Sequence, residues 1–222
     1  MMVSNRKWQT MKSLILILFL AANALAIEPP KGLEFGMTFE AAKSTLENSD
    51  TGKFSRLKVE DPKVYTKWFD SSYMVAQVKN VKLLDKKPER VWVLFDGTGA
   101  LCGMQYIFEW QNDEKGNMFT RADKGRDKAW ELLDELHGSL EPKYGSPVKS
   151  YPEERKGTSL SDNAEFGKTW ADSAGNRIEA SIFRKRMNAV IATSDAYFVK
   201  LLYASPSFEE SKKQSKVKEG DL

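Results

Sequence analysis

The chain is poor in the residues that most often carry covalent and metal chemistry: among 222 residues there is one cysteine, Cys102, and one histidine, His137. A single cysteine excludes an internal disulfide and every Cys-pair redox or zinc motif, and a single histidine excludes any site needing two imidazoles. Metalloprotease and thiol-oxidoreductase chemistry are thereby set aside. No Gly-x-Ser-x-Gly occurs. The Ser-x-x-Lys match Ser146-Pro147-Val148-Lys149 follows a helix stop, whereas that catalytic pattern needs its serine at the opening of a helix. Gly97-Thr98-Gly99 and Gly175-Asn176 lie between strand-like runs, where a hairpin's demand for positive φ explains them without a phosphate. Asn112-Asp113-Glu114 lacks calcium-loop spacing. Accordingly no catalytic residue, metal ligand or cofactor is assigned.

A long apolar run is also missing. Leu14 to Ala22 is the longest, too short for the ~20 residues that span a bilayer core. With Arg6, Lys7 and Lys12 before it and Ala24-Leu25-Ala26 after it, the run has the order of a secretory signal peptide, residues 1–26. Removing those residues takes away three bases and no acid, so 34 Lys plus Arg against 31 Asp plus Glu becomes 31 against 31. A neutral mature chain offers no basic footprint for nucleic acid, so that partner is excluded. The expectation is a periplasmic or secreted protein with no transmembrane segment once the leader is gone.

What is present is core material: 41% hydrophobic residues, with 12 Phe, 7 Tyr and 6 Trp. Thr38 offers an N-cap hydroxyl, and Phe39, Ala42 and Leu46 then share a helix face ending near Asn48. Runs at 55–59, 64–69 and 73–81 read as strands. Val91 to Phe95 and Leu101 to Trp110, joined by Asp96-Gly97-Thr98-Gly99, read as a hairpin with Cys102, Met104, Tyr106 and Phe108 on one face. Gln111 to Asn117 reads as a linker. Ala129, Leu132, Leu133, Leu136 and Leu140 form a helical stripe that Pro142 should end. Segments 166–170, 177–183, 189–193 and 197–203 then read as a four-strand meander turning at Met187-Asn188 and Ser194-Asp195. Residues 205–222 carry almost no large apolar side chain after Phe208 and are expected to be disordered. The fold class is α+β: two helix-plus-antiparallel-sheet units, 27–112 and 113–204. The likeness of Phe95-Asp96-Gly97-Thr98-Gly99 to Trp170-Ala171-Asp172-Ser173-Ala174-Gly175 raises a degenerate tandem repeat.

Gly36-Met37-Thr38 followed by Phe39, Ala42 and Leu46 resembles the start of the outer-membrane assembly lipoprotein domain called BamE or SmpA-like. The resemblance implies an envelope protein in which a helix packs on a short antiparallel sheet. It carries no binding residues across.

Five residues are the candidate binding set: Trp170, Arg177, Arg184, Lys185 and Arg186, a basic hairpin beside an indole that would suit an envelope protein or an anionic envelope polymer. His137, with Asp134 and Glu141 at helical spacings, reads as a solvated ion pair, and Cys102 as a small buried hydrophobe. The expected function is that of an exported, non-catalytic binding or assembly module of a bacterial cell envelope. Two alternatives stand beside it. An inhibitor or immunity protein would present a protruding loop at 152–163 or 111–117. A carboxylate-dependent hydrolase of envelope polymers would pair acids about 5–10 Å apart in an aromatic-lined cleft, with Glu109 beside Trp110 or Asp172 near Trp170 as starting points.

Overall fold

The computed structural model describes residues 26–48, 58–59, 74–79, 81–111, 121–151, 160, 165–188 and 193–211, apart from the side chains at 58–59, 111, 121–124, 186–188 and 193–194. The elements in chain order are α1 (Phe39–Asn48), β1 (Lys58–Val59), β2 (Met74–Gln77), β3 (Arg90–Phe95), β4 (Leu101–Gln111), α2 (Arg121–Tyr144), β5 (Lys149–Ser150), β6 (Glu165–Ala171), β7 (Arg177–Asn188) and β8 (Thr193–Ala204). The fold is α+β. All the strands enter one antiparallel eight-stranded sheet in the order β1-β2-β3-β4-β8-β7-β6-β5. The strands of the two expected units meet where β4 pairs with β8, from Gly103 opposite Ala204 to Gln111 opposite Ala196.

Side-chain alternation divides the sheet into two faces. One is covered by the helices. α2 lies across β4, β8 and β7, and its Leu132, Leu133 and Leu136 join Met104, Tyr106, Ile178 and Val199 in the larger core. α1 adds Ala42 and Leu46, and its Phe39 packs edge-on against Phe95 at 5.6 Å between ring centroids. Thr38 Oγ1 accepts a hydrogen bond from the Ala41 N–H at 3.4 Å, the expected N-cap. The opposite face holds a smaller cluster that includes Trp92, Leu94, Ile107, Phe198 and Leu202, with Phe183 stacked on Phe198 at 5.1 Å. Toward β6 this face turns polar. There Lys200 lies between Glu165 at 2.5 Å and Glu179 at 2.8 Å. Burial disfavours the Glu179 carboxylate and the Lys200 ammonium alike, but their mutual attraction wins: the lysine is held above its ordinary pKa and Glu179 below.

Four expectations are corrected here. Residues 187–188 and 194–195 are not turns: Met187 pairs with Ser194 and Asn188 with Thr193, so β7 and β8 are two long strands where three shorter ones were expected. Residues 206–211 form a helix whose Phe208 is buried against the smaller cluster, anchored by Ser205 N–H to Cys102 O at 2.9 Å. Pro142 lies inside α2, which continues to the buried Tyr144, and the Gly145 N–H closes the helix on Glu141 O at 2.8 Å. Cys102 does not share the face of Met104 and Tyr106. A bulge between Leu94 and Phe95, opposite Leu101 and Gly103, places it in the smaller cluster, where its thiol donates to Leu94 O at 3.3 Å. It is buried as expected, and burial with the nearby Asp96 charge pushes its pKa up to about 12. The expected strand at 64–69 and most of the loop 152–163 lie outside the described residues.

The Asp96 and Asp172 turns share one geometry. Asp96 Oδ1 accepts from Thr98 N–H at 2.9 Å and Ala100 N–H at 3.2 Å; Asp172 Oδ1 accepts from Ala174 N–H at 3.0 Å and Asn176 N–H at 2.9 Å. Each ends through a glycine at positive φ, Gly99 at 81° and Gly175 at 83°, which a residue with a Cβ adopts only under strain. Both turns lie at the end of the sheet where Gly103, Ala204 and Arg177 line up. The strand order is a palindrome about β4 and β8, so a two-fold axis normal to the sheet relates the two halves topologically. That axis would carry the β3–β4 turn onto the β7–β8 connection at the opposite end, not onto the β6–β7 turn. The likeness of the two turns therefore belongs to turn chemistry.

Candidate binding groove

The Leu83-to-Lys86 turn is built without the residues such turns usually use. Leu83 and Lys86 exchange N–H···O bonds at 2.9 and 3.0 Å, and both central residues have positive φ, Leu84 at 50° and Asp85 at 56°. This conformation strains a leucine. It projects Lys86 toward α2, where the ammonium pairs with Glu135. On α2, Lys128, Glu131 and Glu135 follow one another at helical spacing on one face. Between that face, the 86–89 segment and the end of β4 opens a groove of about 450 Å³. Its floor is Phe108 and half-buried Trp110, stacked at 6.2 Å with 15° between ring planes. Its rim carries Lys86, Lys87 and Lys128 together with Glu89, Glu131 and Glu135. Glu109, between the two floor residues in sequence, is paired with Arg90 at 3.8 Å. Phe108 is 2% exposed and backs the groove, so the surface on offer is the Trp110 indole, which between cations and anions can stack on an apolar or ring-bearing group while donors and acceptors bond beside it.

The five sequence-predicted binding residues are dispersed. Trp170 is 1% exposed beneath the end of α2, where its Nε1 donates to Gly145 O at 2.9 Å, so the indole offers no surface. Arg177 pairs with Glu209 and lies 5.9 Å from the Phe208 ring centroid. Arg184, seven residues farther along β7 and so about 23 Å away, is on the helix side and donates to Asp195 Oδ2 at 3.3 Å. Lys185 points to the other face, 6.0 Å from the Phe183 ring; burial, then the Arg90 charge, lowers its pKa against the pull of Glu109. Arg186 stands opposite Asp195 in the ladder, and its side chain lies outside the described residues. Lys168 is bound to Glu141 at 3.5 Å.

His137 is corrected from a solvated ion pair to a packing residue. Its Nε2 lies 3.3 Å from Ala180 O and its ring 5.8 Å from Trp170. Burial lowers its pKa. Of the two carboxylate starting points, Asp172 is committed to its turn, and Glu109, although its residue adjoins the groove, lies opposite Phe198 and turns its carboxylate to the other face of the sheet, toward Arg90. Among the described residues the carboxylates whose pKa departs from the ordinary range, Asp96 and Glu179, are both held down; in each, hydrogen bonds or a neighbouring cation outweigh burial. Among the described residues no group of three or more His, Cys, Asp or Glu could hold a metal ion, and no helix is long and apolar enough to cross a membrane. The rim residues escaped the sequence reading. Only the spacing of Lys128, Glu131 and Glu135 on one helix face could have signalled them. Comparison with protein-family models, curated proteins and solved structures gave no match.

Proposed function

We propose that this protein is an exported, non-catalytic binding or assembly module of a bacterial cell envelope, and that it holds a peptide segment of another envelope protein in the Phe108–Trp110 groove. The observation that carries this reading is the half-buried Trp110 indole of β4, backed by Phe108, between lysines and glutamates of the 86–89 segment and of α2. Aromatic anchors ringed by polar groups are the usual energetic centre of a protein interface. The hydrolase reading is disfavoured because acid catalysis at neutral pH needs a carboxyl raised above its ordinary pKa, and among the described residues the shifted acids are lowered. An anionic polymer is disfavoured because the rim alternates in sign and the basic residues of β7 divide between two faces. Export itself rests on the leader.

A photo-crosslinking residue at position 131 of the exported chain, on the groove rim, tests the groove. The expected result is a discrete protein adduct that does not form from exposed Glu47 on α1, and that is lost when Lys86 and Lys128 are both changed to Glu. Adducts of equal yield from both positions, or co-sedimentation with purified anionic wall polymer that survives Trp110→Ala, would overturn it.

A further inference from the structure

Ile27 is the residue that follows Ala24-Leu25-Ala26, and its main-chain nitrogen is the group that the 172–176 turn grips. That N–H donates to Asp172 Oδ2 at 2.8 Å, across 145 residues of sequence. The Ile27 side chain is 1% exposed and belongs to the helix-side core, while Ala26, on the other side of the peptide bond, is exposed. The carboxylate is held by its own turn. Oδ1 takes the Ala174 and Asn176 N–H groups, and Oδ2 also accepts from Asn176 Nδ2 at 3.0 Å. An anion fixed in this way, aimed at a backbone nitrogen one bond past a leader-type cleavage sequence, is better matched to an ammonium than to an amide.

We propose that hydrolysis of the Ala26–Ile27 bond is a maturation step, and that the α-ammonium it releases forms an ion pair with Asp172 that clamps the new chain end to the sheet. This rests on the export reading above. Water, delivered by a leader peptidase that accepts small residues before the bond, adds its oxygen to the Ala26 carbonyl carbon. The C–N bond breaks, Ala26 departs as the carboxylate of the leader, and the Ile27 nitrogen takes up protons to become an ammonium, whose ordinary pKa is about 7.7–8.0. A charged donor makes roughly twice the hydrogen bond of a neutral one. The position is selective. Cleavage one residue earlier moves the ammonium one residue, about 3.8 Å along the chain, away from the nitrogen that the carboxylate holds, and cleavage one residue later discards the buried isoleucine.

Melting temperatures at neutral pH test the clamp on chains running to Leu222 and released from a fusion partner so that the first residue is either Ile27 or Ala26. With Asp172 intact, the Ile27-start chain is expected to melt about 2–4 °C higher. Asp172→Asn is expected to lower the Ile27-start chain by about 3 °C more than the Ala26-start chain. Equal melting of the two unmodified chains, or equal losses on substitution, would overturn the clamp without touching the export reading. The first comparison needs no side-chain change and so survives a variant that fails to fold. Mass spectrometry of the exported protein should find Ile27 first. Another first residue in an exported chain overturns the cleavage assignment alone, whereas a chain kept whole in the cytosol overturns export and the maturation step together.

Discussion

The Asp96 and Asp172 turns use the same backbone and the same carboxylate-to-amide bonds, yet they differ in what else the carboxylate holds. Asp96 also accepts from the Thr98 hydroxyl at 2.6 Å and from Ser207, in the helix that follows β8. Asp172 instead takes the Ile27 N–H of the segment that precedes α1. One turn design thus ties down both ends of the described chain, and the spare acceptor capacity of the carboxylate decides which. The lesson is that a hairpin's side-chain cap can serve tertiary structure once its local bonds leave a lone pair over.

Removing the carboxylates should separate the two turns most strongly. Asp172→Ala strands the Ile27, Ala174 and Asn176 donors and is expected to cost about 2–3 kcal/mol by urea unfolding, against about 1–2 kcal/mol for Asp96→Ala, whose donors reach solvent more readily. Equal costs would mean that the bond to Ile27 adds nothing. The glycines come next. Gly99→Ala meets nothing within 4 Å and should cost about 1 kcal/mol for the left-handed conformation alone. Gly175→Ala places its methyl 3.1 Å from Pro206 Cγ and should cost about 2 kcal/mol. The smallest effect is on pH dependence. Asp96 is held below its ordinary value of 3.8, so its contribution is complete above that pH and is lost as pH falls through its lower folded value. The stability gap between the unsubstituted chain and Asp96→Asn should therefore narrow in acid titrations below pH 3.8, and a constant gap would refute the assignment.

Local chemistry made part of this fold readable. Thr38 before Phe39, Ala42 and Leu46, the leucine stripe of α2, and Asp-Gly between two apolar runs each state an element within a dozen neighbouring residues, and each formed. The helix-plus-sheet class followed from their order. What escaped depends on distant pairing. That β4 lies against β8 is decided by a register running from Gly103–Ala204 to Gln111–Ala196, which no local pattern encodes. A second pairing, between β7 and β8, draws both strands through Met187-Asn188 and Ser194-Asp195, overriding turn-like composition. The bulge that moves Cys102 to the other face is a mismatch between two strands and invisible in either. At the groove, Trp110 beside Glu109 was legible as a possible site, but its rim was not: Leu84-Asp85 has no turn signature, and the lysines and glutamates meet only because α2 crosses β4.

The strand that unites the two halves of the sheet comes last in chain order among the described strands. Until Thr193 to Ala204 has been synthesised, β4 and β7 each present a bare edge at what will become the middle of the molecule. Such long-separation pairings also close slowly. Until that strand docks, the nascent polypeptide keeps two unpaired edges at its centre and stays open to sticking edge-to-edge to its neighbours.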